Sequence, residues 1–169
     1  MEADGIVDRY PIGGAIGGAI GGAVGATFYL EPVATLDVDI FISFQTQPGS
    51  LLISPQPVFQ YLTERGARVE GEYLIIADWP VQFLPPTGPL VEEALAEAVE
   101  VEVEEIKTRV FTAEHLAAIA LQTGRPKDKA RLLQFIESGA LSSERLQNIL
   151  ERHALAGSWR KFEQQFLES

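Results

Sequence analysis

Cysteine is absent from this chain of 169 residues, and its absence excludes several kinds of chemistry at once. Without thiols there is no disulfide, no thiolate metal site and no cysteine nucleophile. The lack of cysteine fits a reducing compartment, and the acidic start from Met1 to Asp8 lacks the basic residues with which a secretory signal begins. We therefore expect a cytoplasmic protein.

Basic residues are also scarce, with 13 lysines and arginines against 24 acids and a formal net charge of −11. Such a protein gains no general attraction to a phosphate backbone, so binding to duplex DNA is disfavoured. The segment from Arg125 to Arg131 is the only candidate for a local basic patch. Apolar residues make up 46% of the chain, enough for the core of one domain, with or without a helical annex.

Charge is missing altogether from Ile12 to Leu30, a run of 19 residues. Such a run is long enough to span a bilayer, and glycines at 13, 17, 21 and 25 form the GxxxG spacing of packed membrane helices. Glycine and alanine give weak transfer energy, however, and Arg9 is the only cation nearby. A Gly-rich helix for assembly or membrane association is therefore an alternative, and the membrane role is disfavoured.

The same run contains three near-identical tetrapeptides, GGAI, GGAI and GGAV, from Gly13 to Val24. Gly21-Gly22, and less so Gly13-Gly14 after a predicted strand at Tyr10–Ile12, are candidates for a turn whose amides approach a nucleotide phosphate. The alternative is that the glycines let a thin helix, ended by Glu31-Pro32, pack closely on a sheet. Each glycine costs a helix roughly 1 kcal/mol relative to alanine, so we expect this element to be the least stable.

A strand is predicted from Thr35 to Phe44, because apolar residues alternate there with Asp37 and Asp39. A period of two places both carboxylates on one face, roughly 6–7 Å apart along the backbone. Two such groups repel each other unless a cation lies between them, and oxygen ligands favour magnesium or manganese. The alternative is a pair of exposed acids that form salt bridges with arginines.

Periodicity, capping residues and turn residues predict the remaining elements. Strands are expected within residues 68–76, 79–84, 99–103 and 108–111, with 99–103 as a solvated edge strand. Helices are expected at residues 57–64, 89–98, 113–122, 126–136, 142–153 and 158–166.

This pattern resembles the DNA polymerase beta-like nucleotidyltransferase superfamily, and within it the minimal branch that includes AbiEii-type proteins. The similarity rests on the order of strand, glycine pair, helix and Thr-x-Asp-x-Asp strand, with Gly22 fifteen residues before Asp37. A second similarity is the segment from Gly124 to Asp128, which follows a helix. The resemblance implies an α/β (α+β) fold: a mixed sheet flanked by helices over residues 1–111, with a C-terminal helical region over 112–169 packed on it.

The resemblance also implies a reaction, the transfer of a nucleoside monophosphate from a nucleoside triphosphate to a hydroxyl on RNA or protein. The family often occurs in toxin–antitoxin or phage-defence pairs, so a cognate partner protein is expected. Mg²⁺ (or Mn²⁺) is the implied cofactor. The implied catalytic and metal-binding residues are Asp37 and Asp39, and the implied nucleotide-binding residues are Gly21, Gly22, Thr35, Arg125 and Lys127.

One position departs from the family pattern, because Gln82 stands where relatives carry a third carboxylate. A glutamine can coordinate a metal through its amide oxygen, but it brings no charge and cannot act as a base. This departure favours an alternative function, that of a catalytically impaired relative which binds a nucleotide or a partner protein without turnover.

The other polar and aromatic residues receive structural interpretations. We expect His115 and His153 to be packing or surface groups, and Trp79 and Trp159 to lie in the core. The glutamates between 92 and 105 are expected to form a solvated face. If Arg125 and Lys127 do not bind phosphate, they belong to a capping cluster in which Asp128 pairs with Lys127 or Arg131.

Overall fold

The structure, a computed structural model, describes residues 18–31, 37–42, 56–103 and 105–167. The predicted strand at Tyr10–Ile12, the alternative turn at Gly13-Gly14 and the nucleotide contact of Thr35 fall outside the described residues.

Seven strands and seven helices make up the described part of the chain. The strands are β1 (Gly18–Ile20), β2 (Val38–Ile42), β3 (Arg68–Glu70), β4 (Tyr73–Ile76), β5 (Trp79–Leu84), β6 (Val99–Val103) and β7 (Ile106–Val110). The helices are α1 (Gly22–Ala26), α2 (Gln56–Thr63), α3 (Pro89–Ala96), α4 (Ala113–Thr123), α5 (Pro126–Glu137), α6 (Ser143–Arg152) and α7 (Ala156–Phe166).

The strands form one sheet in the order β3-β4-β5-β2-β1-β7-β6, so β2 lies at its centre and β6 at an edge. β2 runs parallel to β5 and antiparallel to β1, while β1 runs parallel to β7. The expected mixed sheet flanked by helices is therefore confirmed. Because β2 and β5 are parallel and in register, Asp39 pairs directly with Gln82.

The two faces of the sheet carry two separate apolar clusters. Val38, Ile40 and Ile42 of β2 pack with α2 in the smaller cluster, whereas Phe41 packs against the larger one. Since side chains alternate along a strand, Asp37 and Asp39 belong to the face of Phe41. The acids therefore share a face with the helices that follow α2 in the chain.

The repeated tetrapeptides fold differently from the expected helix. The second copy supplies β1, and the third copy begins α1, so a strand ends directly before Gly21-Gly22. α1 has only five residues and closes in a tight turn, in which Thr27 N donates to Val24 O at 3.1 Å. The expectation of a helix that continues to Glu31-Pro32 was wrong, because α1 ends at Ala26, where the hydroxyl of Thr27 also donates to the carbonyl of Val24 at 2.7 Å and competes with a helical N–H for that oxygen.

Close packing explains one glycine of α1. A Cβ atom at Gly25 would lie 2.9 Å from the carbonyl oxygen of Ile20 on β1. The backbones of α1 and β1 can approach this closely only because that side chain is missing. The structural interpretation of the glycine segment therefore holds at this position.

The C-terminal helices surround α4, which packs against α1, α3, α5, α6 and α7. The hydroxyl of Thr112 accepts the backbone N–H of His115 at 3.3 Å, and Gly124 ends the helix in the left-handed conformation. The helical C-terminal region is thus confirmed, and the division at residue 111 stays a prediction. No described helix combines the length and apolar character that a membrane span requires.

The interpretation of Trp79 as a core residue was wrong. Its side chain is 56% exposed, because it lies at the tip of the β4–β5 hairpin beside the turn at Ala77-Asp78. Trp159 is partly buried against the larger cluster, as expected.

We predict that Gly25→Ala destabilises the protein by about 1–3 kcal/mol, because the new methyl group overpacks the contact with Ile20. The matched control is Gly157→Ala in α7, where a Cβ atom meets nothing within 4 Å. That change should stabilise the protein by about 0.5–1 kcal/mol. Urea denaturation measures both, and equal effects would contradict the close approach of α1 to the sheet.

Candidate functional site

A cleft of about 950 Å³ opens between the sheet face that carries the acids and the helices α4 and α5. The side of the sheet contributes Gly22, Asp37, Asp39 and Gln82. The side of the helices contributes Arg125, Lys127, Asp128 and Arg131. Five of the seven predicted site residues thus line one cleft. Of the other two, Gly21 is buried in the adjoining turn and Thr35 lies outside the described residues.

The two aspartates influence each other electrostatically. Partial burial, and then the charge of Asp37, raise the pKa of Asp39 above its usual value. Lys127, Arg125 and Arg131 act in the opposite direction on the same pKa. The side chains therefore share surroundings, as the period of the strand predicted.

Oxygen donors converge on this point of the cleft. Asp37 precedes β2, Asp39 lies within it, and Gln82 is the direct neighbour of Asp39 on β5. Two repelling carboxylates and an amide oxygen are ligands that suit Mg²⁺ or Mn²⁺. The residues present therefore fit the implied cofactor, with one charge fewer than three carboxylates would provide.

The turn between β1 and α1 touches the acid pair. Gly21 N donates to the backbone oxygen of Asp39 at 3.0 Å. Gly22 has φ +57°, and a Cβ atom there would lie 2.0 Å from Oδ2 of Asp39. Any side chain at this position would displace the carboxylate, so the turn and the acids form one structural unit.

The basic side of the cleft is arranged by Asp128, which is only 2% exposed. Its carboxylate accepts from Nε of Arg125 at 2.6 Å and from Nη2 at 3.2 Å, while Nη1 of Arg131 lies 3.9 Å away. The expected pairing with Arg131 is thus present as a long contact, and the strong partner is Arg125 rather than Lys127. Within the described ranges, the side chain of Lys127 is exposed and forms no ion pair or hydrogen bond.

The charges that line the cleft balance formally. Three carboxylates, on Asp37, Asp39 and Asp128, face three cations. The cleft alone therefore offers little net attraction for a polyanion, although a bound divalent cation would give it a net positive charge.

A second polar cluster, which sequence reasoning missed, is centred on Glu93 of α3. Nε2 of His115 lies 3.2 Å from its Oε1, and Nε2 of His153 lies 2.8 Å from its Oε2. Arg152 also donates to both oxygens, from Nη2 to Oε1 and from Nε to Oε2 at 3.3 Å. Glu93 therefore departs from the expected solvated glutamate face, whereas the buried His115 is a packing group, as expected.

Long-range packing creates this cluster, since the two histidines lie 22 and 60 residues from Glu93 in the chain. The one local signal was a polar residue, His115, within the apolar stretch at the start of α4. The hydrogen bond from Arg152, more than any other contact, lowers the pKa of Glu93 to about 2. Burial lowers the pKa of His115.

His115 also belongs to a group of residues that could hold a metal ion. Ligand atoms of Glu93, Glu97 and His115 all lie within 4.8 Å of one another. None of the three lines the cleft of the aspartates.

No protein-family model and no curated protein matches the chain. Among solved structures, the chain is similar to an antigenic nucleotidyltransferase-like protein from Paracoccidioides brasiliensis, with a TM-score of 0.55 and 15% sequence identity. The similarity covers 85% of this chain and 84% of that one. The chain therefore has a nucleotidyltransferase-like fold, and its place in the AbiEii branch stays a prediction.

We predict that Glu93→Gln lowers the free energy of unfolding by about 1.5–3 kcal/mol, because it weakens the hydrogen bonds that the carboxylate accepts from the charged guanidinium of Arg152. Glu92→Gln, at an exposed neighbour on the same helix, is the control and should stay within about 0.5 kcal/mol of the original protein. Chemical denaturation in the presence of a chelator measures both. Equal stabilities for the two variants would show that the cluster contributes nothing to the fold.

Proposed function

We propose that this protein is a metal-dependent nucleotidyltransferase that transfers a nucleoside monophosphate from a nucleoside triphosphate to a hydroxyl on RNA or protein. The proposal rests chiefly on one cleft, in which a glycine turn and two aspartates face the basic residues of α5. The nucleotidyltransferase-like fold supports it.

Asp37 and Asp39, with the amide oxygen of Gln82, are the residues that would hold Mg²⁺ or Mn²⁺. Such an ion offsets the repulsion between the carboxylates and neutralises charge that develops on the phosphates. Since the lining charges cancel, we expect triphosphate affinity to depend strongly on the divalent cation.

The other residues have roles in binding. Gly21 and Gly22 present bare backbone beside Asp39, which lets a phosphate approach the acids closely. Lys127, free of ion pairs among the described residues, is the cation best placed to contact the triphosphate. Arg125 is held by Asp128 and contributes from a fixed position. The resemblance alone assigns a phosphate contact to Thr35.

The proposal includes a biological setting. By its resemblance to the minimal branch, the protein is expected to act in the cytoplasm with a cognate partner protein, in a toxin–antitoxin or phage-defence pair. The acceptor would then be an RNA or a protein of the same cell.

We predict that labelled nucleoside triphosphates, Mg²⁺ and either total RNA or lysate will give a labelled product, and that Asp39→Asn will abolish it. The removed carboxylate lies in the cleft and carries a charge that the metal needs. Asp78→Asn is the control, because that side chain is 91% exposed on the β4–β5 turn. Labelling that survives Asp39→Asn would remove the assigned site.

A second candidate function is nucleotide binding without turnover, and the position of Gln82 beside Asp39 favours it. Calorimetry with a nucleoside triphosphate separates the two functions. Magnesium-dependent binding without any labelled product supports the binding protein.

We predict that Gln82→Asp tightens Mg²⁺ binding and increases labelling, because it places a third carboxylate beside the other two. Gln122→Asp, which adds an acid to the helix side of the same cleft, is the control and should do neither. Magnesium titration and the labelling assay measure the two effects. Unchanged metal affinity in Gln82→Asp would argue against a metal between β2 and β5.

A further inference from the structure

The cluster around Glu93 points to a second site with different chemistry. We propose that Glu93, Glu97 and His115 bind a zinc ion, or a similar transition-metal ion, between helices α3 and α4. This site is separate from the proposed magnesium site and does not depend on the proposed enzymatic function.

The distances between the ligand atoms fit this ion. Oε1 of Glu93 and Nε2 of His115 are 3.2 Å apart. Two ligands at about 2.0–2.2 Å from a tetrahedral zinc are separated by roughly 3.3 Å. Glu97 completes the group, since its carboxylate is within 4.8 Å of the other two ligand atoms. A water molecule or a substrate group would take the fourth position.

Hydrogen bonds orient two of the three ligands through the atoms that would not bind the metal. Nδ1 of His115 lies 2.8 Å from the hydroxyl of Thr112, so a proton on Nδ1 leaves the lone pair of Nε2 directed at Glu93. The second oxygen of Glu93 is bonded to Nε2 of His153 at 2.8 Å. Metal-binding histidines and carboxylates in proteins are commonly fixed by such outer partners.

The charges also match a divalent cation. Two carboxylates and a neutral imidazole carry a formal charge of −2, which one zinc ion cancels. Arg152 supplies a single positive charge to Glu93, while the side chain of Glu97, within the described residues, forms neither an ion pair nor a hydrogen bond. The side chain of Arg152 is 49% exposed, so it has room to move away when a metal binds. Arg152 is therefore a competitor for the metal.

The types of ligand identify the class of ion. An imidazole nitrogen with two carboxylates suits zinc, and other transition ions of similar preference, better than magnesium, which prefers oxygen ligands alone. The aspartate pair in the cleft offers only oxygen donors. The two sites should therefore take different ions from a mixture.

The test uses the full chain with Asp39→Asn and Mg²⁺ in excess, so that zinc binding in the cleft is suppressed. Zinc is titrated by calorimetry, and cobalt is used as a spectroscopic substitute whose visible absorption reports tetrahedral coordination. We expect one zinc ion per chain. Glu97→Gln should weaken binding by about tenfold or more without loss of fold, because the exposed side chain of Glu97 bonds to no other described residue and its backbone is unchanged by the substitution.

Arg152→Gln distinguishes a metal site from a structural ion-pair network. If Arg152 competes with the metal, its removal should tighten zinc binding, although it weakens the metal-free protein. Glu92→Gln is the matched control, and it should bind zinc with the same affinity as the Asp39→Asn protein without a further substitution. Equal zinc affinity in the Glu97→Gln variant and the parent, weaker binding in Arg152→Gln, or no tetrahedral cobalt spectrum would each overturn the proposal.

Discussion

The parallel pairing of β2 with β5 is the constraint on which the rest of the structure depends. It places Asp39 beside Gln82 and directs their neighbours Ile40 and Phe83 to the opposite face. A slip of one residue would exchange the faces and bury the acids in the smaller apolar cluster. The burial of Ile42 on β2 with Val81 and Phe83 on β5 in that cluster resists such a slip. The same apolar contacts that stabilise the sheet therefore fix the position of the carboxylates.

The opposite wall of the cleft is built from helix ends rather than from strands. Arg125 precedes the first turn of α5, and the nearly inaccessible Asp128 holds its guanidinium. This ion pair holds the N-terminus of α5 in place and offsets the positive charge of Arg125. Lys127 remains as an exposed cation. A structural ion pair and the proposed phosphate-binding residue thus occupy adjacent positions. The two interpretations of this segment, a capping cluster and an anion site, are not exclusive.

Much of the fold was predictable because its signals are local. Trp79–Leu84 was located to the residue from its alternation, and α4 was located from Thr112 and Gly124, whose caps are chemical requirements of helix ends. The extent of α1 was not predictable, because glycine repeats carry no period that separates helix from strand. Within the site, the spacing of Asp37 and Asp39 was enough to place them together. The partner of Asp128 depends on a rotamer choice, and the contacts of Glu93 depend on helix packing across 60 residues, so neither has a local signal.

The repeat that forms β1 and α1 has one further consequence, which concerns how the chain finds its register during folding. A displacement of four residues replaces Gly18-Ala19-Ile20 with an identical tripeptide, and because four is even, the same side chains face the same way. The displaced chain would also bring Gly21 to the place of Gly25. It would, however, put Gly22 in place of Ala26, which is 2% exposed, and remove the hydroxyl of Tyr29 from the carbonyl of Phe111, 3.0 Å away. The correct register is therefore selected by residues beyond the repeat, Ala26 and Tyr29 among them, and not by the repeat itself.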